Sequence, residues 1–217
     1  IIIPHGTVSK HFNKYDKIYK KIIAQSLFNK EISFVFAQSK ISLRYQKKNQ
    51  LNNFYKTGNI IFAHNNNIFK NKKFILYAVT MKDFRNMHFV GVESFFEYYE
   101  NLKVFNNLAK KFNFKFLIKL HPSVSDSITD LRNLFKNLFF SSDKIDSLLK
   151  KSYASINYSS TVIEDSLCSK VPVILYDPQK RYKHCEVKNS DKDVVYLTNE
   201  NSLVKHLLNL KNNTLKR

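Results

Sequence analysis

The feature that most constrains this chain is a repeated alternation of short apolar runs with longer amphipathic stretches. The runs are rich in Val, Ile and Phe: Phe34 to Ala37, Ile60 to Ala63, Phe74 to Val79, Phe114 to Leu120, Tyr153 to Asn157 and Val171 to Tyr176. Between the later runs lie segments of helical period. Residues 92–112 place Phe95, Tyr99, Leu102, Phe105 and Leu108 near a 3.6-residue spacing, which predicts a helix with one buried face. Residues 143–151 predict a short helix capped by Ser142 or Asp143 and ending in basic residues, as the helix dipole favours. Two more helices are expected over 161–169 and 201–210, the latter with Leu203, Leu207 and Leu210 on one side.

Strands that are apolar throughout and separated by helices imply a parallel sheet covered on both faces. The expected fold class is therefore α/β, a Rossmann-like doubly wound parallel sheet. In such a sheet ligands bind beyond the carboxyl ends of the strands, so the residues after each run are the ones to inspect.

After the run ending at Leu120 come His121, Pro122 and Ser123; Pro122 cannot extend a ladder, so the chain turns there. An imidazole beside helix-starting amides suits a phosphate, and it equally suits a simple turn cap. After Asn157 come Tyr158, Ser159, Ser160 and Thr161, then a helix holding Glu164 and Asp165. Hydroxyls at a helix start are ordinary caps and are also what a phosphate needs. A carboxylate one turn further in can take the two donors of a ribose diol. Glu164 and Asp165 are adjacent and point about 100° apart, so one of them is expected to face the ligand.

Beyond the run Val171 to Tyr176 and the pair Asp177-Pro178 stands a basic loop with Arg181, Lys183 and His184. At the other end, Ile1 to Ile3 runs into Pro4, His5, Gly6 and Thr7, where His5 could act as general base or phosphate donor. Gly6, one of only three glycines, lets backbone or ligand come close. The opening Ile run without Met reads as a strand already in progress, which predicts a preceding segment. Residues 1–30 are then expected to be the end of an acceptor-side domain and a crossover, and 31–217 a nucleotide-binding domain.

Together these places resemble the carboxyl-terminal half of a GT-B-type transferase, more narrowly the group holding CDP-glycerol glycerophosphotransferases and capsular or lipopolysaccharide glycosyltransferases. That group has a His-Gly pair where its first domain ends, matched by His5-Gly6. It has a strand like Ile75-Leu76-Tyr77-Ala78-Val79-Thr80, usually with Pro in place of Val79. It has a His-Pro pair after a strand, matched by His121-Pro122. It has a Ser-Ser/Thr cluster, an acid and a Pro-Val-Ile run, matched by Ser159 through Ile174.

The resemblance implies that His121, Ser159, Ser160 and Thr161 hold nucleotide phosphates and that an acid supports the nucleoside end. Counting back from Pro172 selects Asp165; counting on from Ser159-Ser160 selects Glu164. Lys170 stands where relatives often have Gly. Gly6, Thr80, Lys170 and Arg181 are secondary candidates, and His5 is the catalytic one at the domain cleft. The resemblance implies no cofactor and no metal in this half. The implied partners are a CMP-, CDP- or UDP-linked donor and a glycan or lipid-linked acceptor.

A UDP-sugar 2-epimerase shares that architecture and is the rival enzyme. A basic nucleic-acid-binding domain is the other rival, because net charge is +19 from 36 Lys+Arg against 17 Asp+Glu. Against nucleic acid, the lysines are scattered (Lys20-Lys21, Lys47-Lys48, Lys72-Lys73, Lys110-Lys111, Lys150-Lys151) and no RNP, KH or zinc motif occurs. The abundance of Lys, Asn, Ile and Phe is also what AT-rich codons produce. A basic surface can hold a protein on anionic lipid. No apolar run approaches the ~20 residues of a membrane span. Cys168 and Cys185 lack disulfide or zinc spacing, Cys168 being expected as a buried apolar side chain. A cytoplasmic protein, peripheral on the inner membrane face, is the expectation.

Overall fold

The computed structural model describes residues 35–37, 54–56, 72–78, 90–120, 128–157, 160, 162–180, 187–188 and 191–215. His5, Gly6, Thr80, His121, Pro122, Ser123, Ser159, Thr161 and Arg181 lie outside the described residues, as does the run Ile60 to Ala63.

Two short strands, β1 (Val35–Ala37) and β2 (Phe54–Lys56), pair in parallel with each other. The main sheet is built from β3 (Phe74–Ala78), β4 (Phe116–Lys119), β5 (Phe139–Ser141), β6 (Ser152–Asn157), β7 (Val173–Tyr176) and β8 (Val194–Leu197). Its order is β5-β4-β3-β6-β7-β8 and every pairing is parallel. Counted from β3, this is the strand order of a dinucleotide-binding doubly wound sheet, three strands growing one way before the chain returns to the other side of the first. The run around Phe36 thus pairs outside the main sheet: β3 already has β4 on one side and β6 on the other.

Parallel pairing forces each connection to cross back over a face, and the first four crossovers are helices α1 (Val90–Phe112), α2 (Ile128–Leu134), α3 (Ile145–Lys150) and α4 (Val162–Cys168); α5 (Glu200–Leu215) follows β8. Side chains alternate between the faces although both are buried. Ile75, Tyr77, Phe116, Ile118, Ile156, Ile174 and Tyr176 enter one core with Leu102, Phe105 and Leu108 of α1 and Leu203 and Leu207 of α5. Leu76, Ala78 and Leu117 pack on the other face with Leu148 and Leu149 of α3. Val173, Leu175 and Val194 do so with Ile163 of α4. This double cover explains why the strands lack a polar alternation.

Phe105 is the hub of the larger core. Its ring stacks on Phe116 at 4.9 Å and meets Tyr77 edge-on at 4.8 Å. The buried stripe of α1 carries Tyr98, Leu102, Phe105, Leu108 and Ala109, whereas Tyr99 is only half-buried. Tyr98, not Tyr99, keeps step with a 3.6-residue period through Leu102 and Phe105.

Two further expectations are corrected. Helix α3 begins from Lys144, with no side-chain cap; the Asp143 N–H instead donates to Ser141 Oγ at 3.0 Å, which closes a turn before the helix starts. Cys168, in the last turn of α4, is half-buried rather than enclosed, as are its neighbours Leu167 and Ser169.

Candidate functional site

The order of the main sheet places its switch point between β3 and β6, at their carboxyl ends. The segment after β6 is therefore the one whose side chains matter most. Ser160 caps α4: its Oγ accepts the Val162 N–H at 3.3 Å and its carbonyl accepts the Ile163 N–H at 3.2 Å. Ser160, Glu164 and Asp165 are all buried, although each is polar.

The two carboxylates lie on different flanks of α4. Glu164 shares the stripe of Ser160 and Leu167, while Asp165 shares that of Val162, which packs toward α3. Burial pushes the Asp165 carboxyl up to about 7, and the neighbouring Glu164 and the α3 residue Asp146 push in the same direction. Asp165 Oδ1 has no hydrogen-bond partner among the described residues. Both acids are enclosed, so burial does not choose between them.

The last position of a strand is repeatedly polar at this edge. Asn157 ends β6, fully buried; its Nδ2 donates to Ser155 Oγ at 2.6 Å, while Oδ1 has no partner among the described residues. Lys119 ends β4, and its Nζ donates to the Leu120 carbonyl at 2.7 Å; burial lowers its pKa, opposed by Asp143. Asp177 follows β7, buried, and accepts the Tyr196 hydroxyl at 2.9 Å. Asn157 and Lys119 were not singled out from the sequence. Their signal was a polar residue at the end of an otherwise apolar parallel strand.

On the opposite face α1 carries a second polar group. Glu97, Tyr98 and Asn101 are buried there, above the apolar Leu102, Phe105 and Leu108. Asn101 Nδ2 donates to the Tyr77 hydroxyl at 3.2 Å, and the Tyr98 ring stacks on Tyr77 at 5.7 Å. The Tyr98 hydroxyl has no partner among the described residues. An enclosed, unsatisfied polar atom of this kind costs about 1–3 kcal/mol.

Lys170 has a backbone role. Helix α4 ends with the Lys170 N–H donating to the Leu167 carbonyl at 3.1 Å and the Val171 N–H to the Ser166 carbonyl at 2.8 Å. This is a Schellman closure, and Lys170 occupies its left-handed position with φ 55. A Cβ is unfavourable there by roughly 1–2 kcal/mol, which is why a glycine suits the position. Lys170→Gly should therefore raise stability by about 1 kcal/mol, read from the urea midpoint; a lower midpoint would mean that the exposed lysine side chain makes a contact the fold needs.

No protein-family model matches the sequence, and no curated protein matches it. Solved structures do. A mutant of S. aureus TarM in complex with Fondaparinux, alpha-GlcNAc-glycerol and UDP is similar over 98% of this chain and 44% of its own, with 22% identity and a TM-score of 0.58. The wall teichoic acid polymerase TagF, soaked with CDPG, is similar over 98% of this chain and 57% of its own, with 16% identity and a TM-score of 0.53. The UDP-GlcNAc 2-epimerase from Methanocaldococcus jannaschii is similar over 92% of this chain and 61% of its own, with 14% identity and a TM-score of 0.50. The chain thus spans between 44 and 61% of the length of these three proteins. At such identity the likeness shows the fold: a Rossmann-like sheet built as in the carboxyl-terminal half of GT-B-type glycosyltransferases.

Proposed function

We propose that this chain is the donor-binding part of a transferase that moves a sugar or a glycerophosphate unit from a nucleotide-activated donor during synthesis of bacterial surface polysaccharide. The observation that carries this reading is the set of enclosed polar groups at the switch point, Ser160, Glu164, Asp165 and Asn157, where an α/β sheet of this order binds nucleotides. The similarity to TarM with UDP and to TagF with CDPG supports it.

In this reading Ser159, Ser160, Thr161, His121, Pro122 and Ser123 surround the donor phosphates, and one of Glu164 and Asp165 takes the ribose hydroxyls. Thr80 and Arg181, which follow β3 and β7 in the sequence, belong to the same edge, whereas Lys170, between the end of α4 and the start of the parallel strand β7, stands at the opposite edge of the sheet and takes no part in this reading. His5, beside Gly6, takes the proton of the acceptor hydroxyl as its oxygen attacks the transferred unit. The bond from that unit to the nucleotide breaks, and donors already aimed at the departing phosphate stabilise its charge. A glycan or lipid-linked acceptor and an anionic membrane surface fit the net charge of +19. Among the described residues no helix is long and apolar enough to cross a membrane. A 2-epimerase-type reaction on a UDP-sugar is the second reading, supported by the similarity to the Methanocaldococcus jannaschii epimerase.

The test is a thermal-shift panel of CMP, CDP, UDP, GDP and ADP, with single-stranded RNA as control, on wild type and His121→Ala. One nucleotide at a hundred times its dissociation constant should stabilise the wild type by about 2.7 kcal/mol, and the substitution should remove that gain. Stabilisation by RNA alone, abolished by salt, would overturn the transferase reading in favour of a basic binding domain.

A further inference from the structure

The polar group on α1 is not used by the roles assigned above. Helix α1 connects two parallel strands, so it runs opposite to β3 and its first turns stand at the sheet's carboxyl edge. Tyr98 is seven residues before Phe105, about 10 Å along the axis at 1.5 Å per residue. Phe105 packs level with Phe116 and Tyr77, so Tyr98 stands near the end of β3, at the switch point. A helical side chain leans toward the helix N-terminus, which here means toward the ligand edge. Stacking on Tyr77, whose hydroxyl is held by Asn101, fixes the ring. The Tyr98 residue is only 2% exposed, and its hydroxyl has no partner among the described residues.

We propose that the Tyr98 hydroxyl is a specificity-determining group that reads a hydroxyl of the transferred unit, the sugar or glycerol part of the donor. This rests on the donor-binding reading above. The acids that suit a ribose lie on α4, on the opposite face of the sheet from α1. A donor laid across the edge with its nucleoside toward α4 brings its other end over β3 and α1. A phenol can both give and accept a hydrogen bond, as recognition of a polyol requires, and it adds no charge beside the phosphates. An enclosed hydroxyl without a partner is otherwise a fault in packing, tolerated where a ligand completes it.

The test is binding to wild type and Tyr98→Phe of UDP against UDP-GlcNAc, and of CDP against CDP-glycerol, with Tyr77→Phe as control. Tyr98→Phe keeps the ring and should be at least as stable as wild type. It should bind the activated donor about tenfold more weakly and the free diphosphate unchanged. Tyr77→Phe loses the Asn101 bond and should lower stability without changing the ratio of the two affinities. Equal weakening of both ligands, or of neither, would overturn the assignment, as would a destabilised Tyr98→Phe, which would show that the hydroxyl has a structural partner. A wild type that binds none of these nucleotides would overturn the donor-binding reading itself, and this assignment with it.

Discussion

Phe105→Ala should lower the stability of the domain by about 3–5 kcal/mol, enough to unfold much of the population of an ordinary domain. The expectation follows from where the ring sits. Phe105 is fully buried in the larger core and touches three strands through Phe116, Tyr77 and Tyr176. Removing it leaves a void that large rings on either side cannot close without leaving their rotamers. Chemical denaturation followed by circular dichroism reads the effect. A loss below about 1 kcal/mol would mean that α1 docks on the sheet by something other than this aromatic contact.

Asp165→Asn should change how stability depends on pH, by roughly 3 kcal/mol between pH 5 and 9. The sign follows from the two protonation states. In the unfolded chain this carboxyl ionises near its ordinary value of 3.8, and in the folded chain at about 7. Between those values the native state keeps a proton that the unfolded state has released. Wild-type stability therefore falls as pH rises through this window, and the full penalty is present above about 7. The amide keeps the shape and cannot ionise, so the variant should match wild type at low pH and exceed it at pH 9. Parallel stability curves for the two proteins would sink this account of Asp165. If Asp165 serves the ribose, the same variant also loses nucleotide affinity, a gain in stability coupled to a loss of binding.

Much of the sheet was legible because burial on both faces writes a continuous apolar word. Phe74–Ala78, Phe116–Lys119, Ser152–Asn157 and Val173–Tyr176 were read within one or two residues, and so was α1 from its period. Strands β5 and β8 were not. Phe139–Ser141 has three residues and lies in a Leu-Phe-rich stretch that also holds α2. Val194–Leu197 is half-exposed and follows Asp191, Lys192 and Asp193. Segments so short show no period, and their strand state is settled by the neighbour they join. Helix α5 runs on to Leu215, past the last apolar contact expected at Leu210, because nothing in Lys211 to Thr214 stops a helix.

The candidate site divides in the same way. Ser160, Glu164 and Asp165 were found because a strand, a hydroxyl cluster and a helix follow one another locally. Asn157 and Lys119 were missed since a single polar residue ending a strand looks like any strand end. Tyr98 was missed because the helical stripe was drawn through its neighbour Tyr99, although a 3.6-residue period through Leu102 and Phe105 reaches Tyr98.

The strand order has a consequence for how such a chain is made. β3 lies in the middle of the sheet, and its second neighbour, β6, joins it only after α1, β4, α2, β5 and α3 have been laid down. During synthesis one edge of β3 stays open, with Leu76 and Tyr77 waiting for a distant partner. Such late, non-local pairing slows folding and exposes an apolar edge to neighbouring chains. A ribosome-bound intermediate stopped before Ser152 should thus recruit a chaperone, and one carried past Val194 should release it.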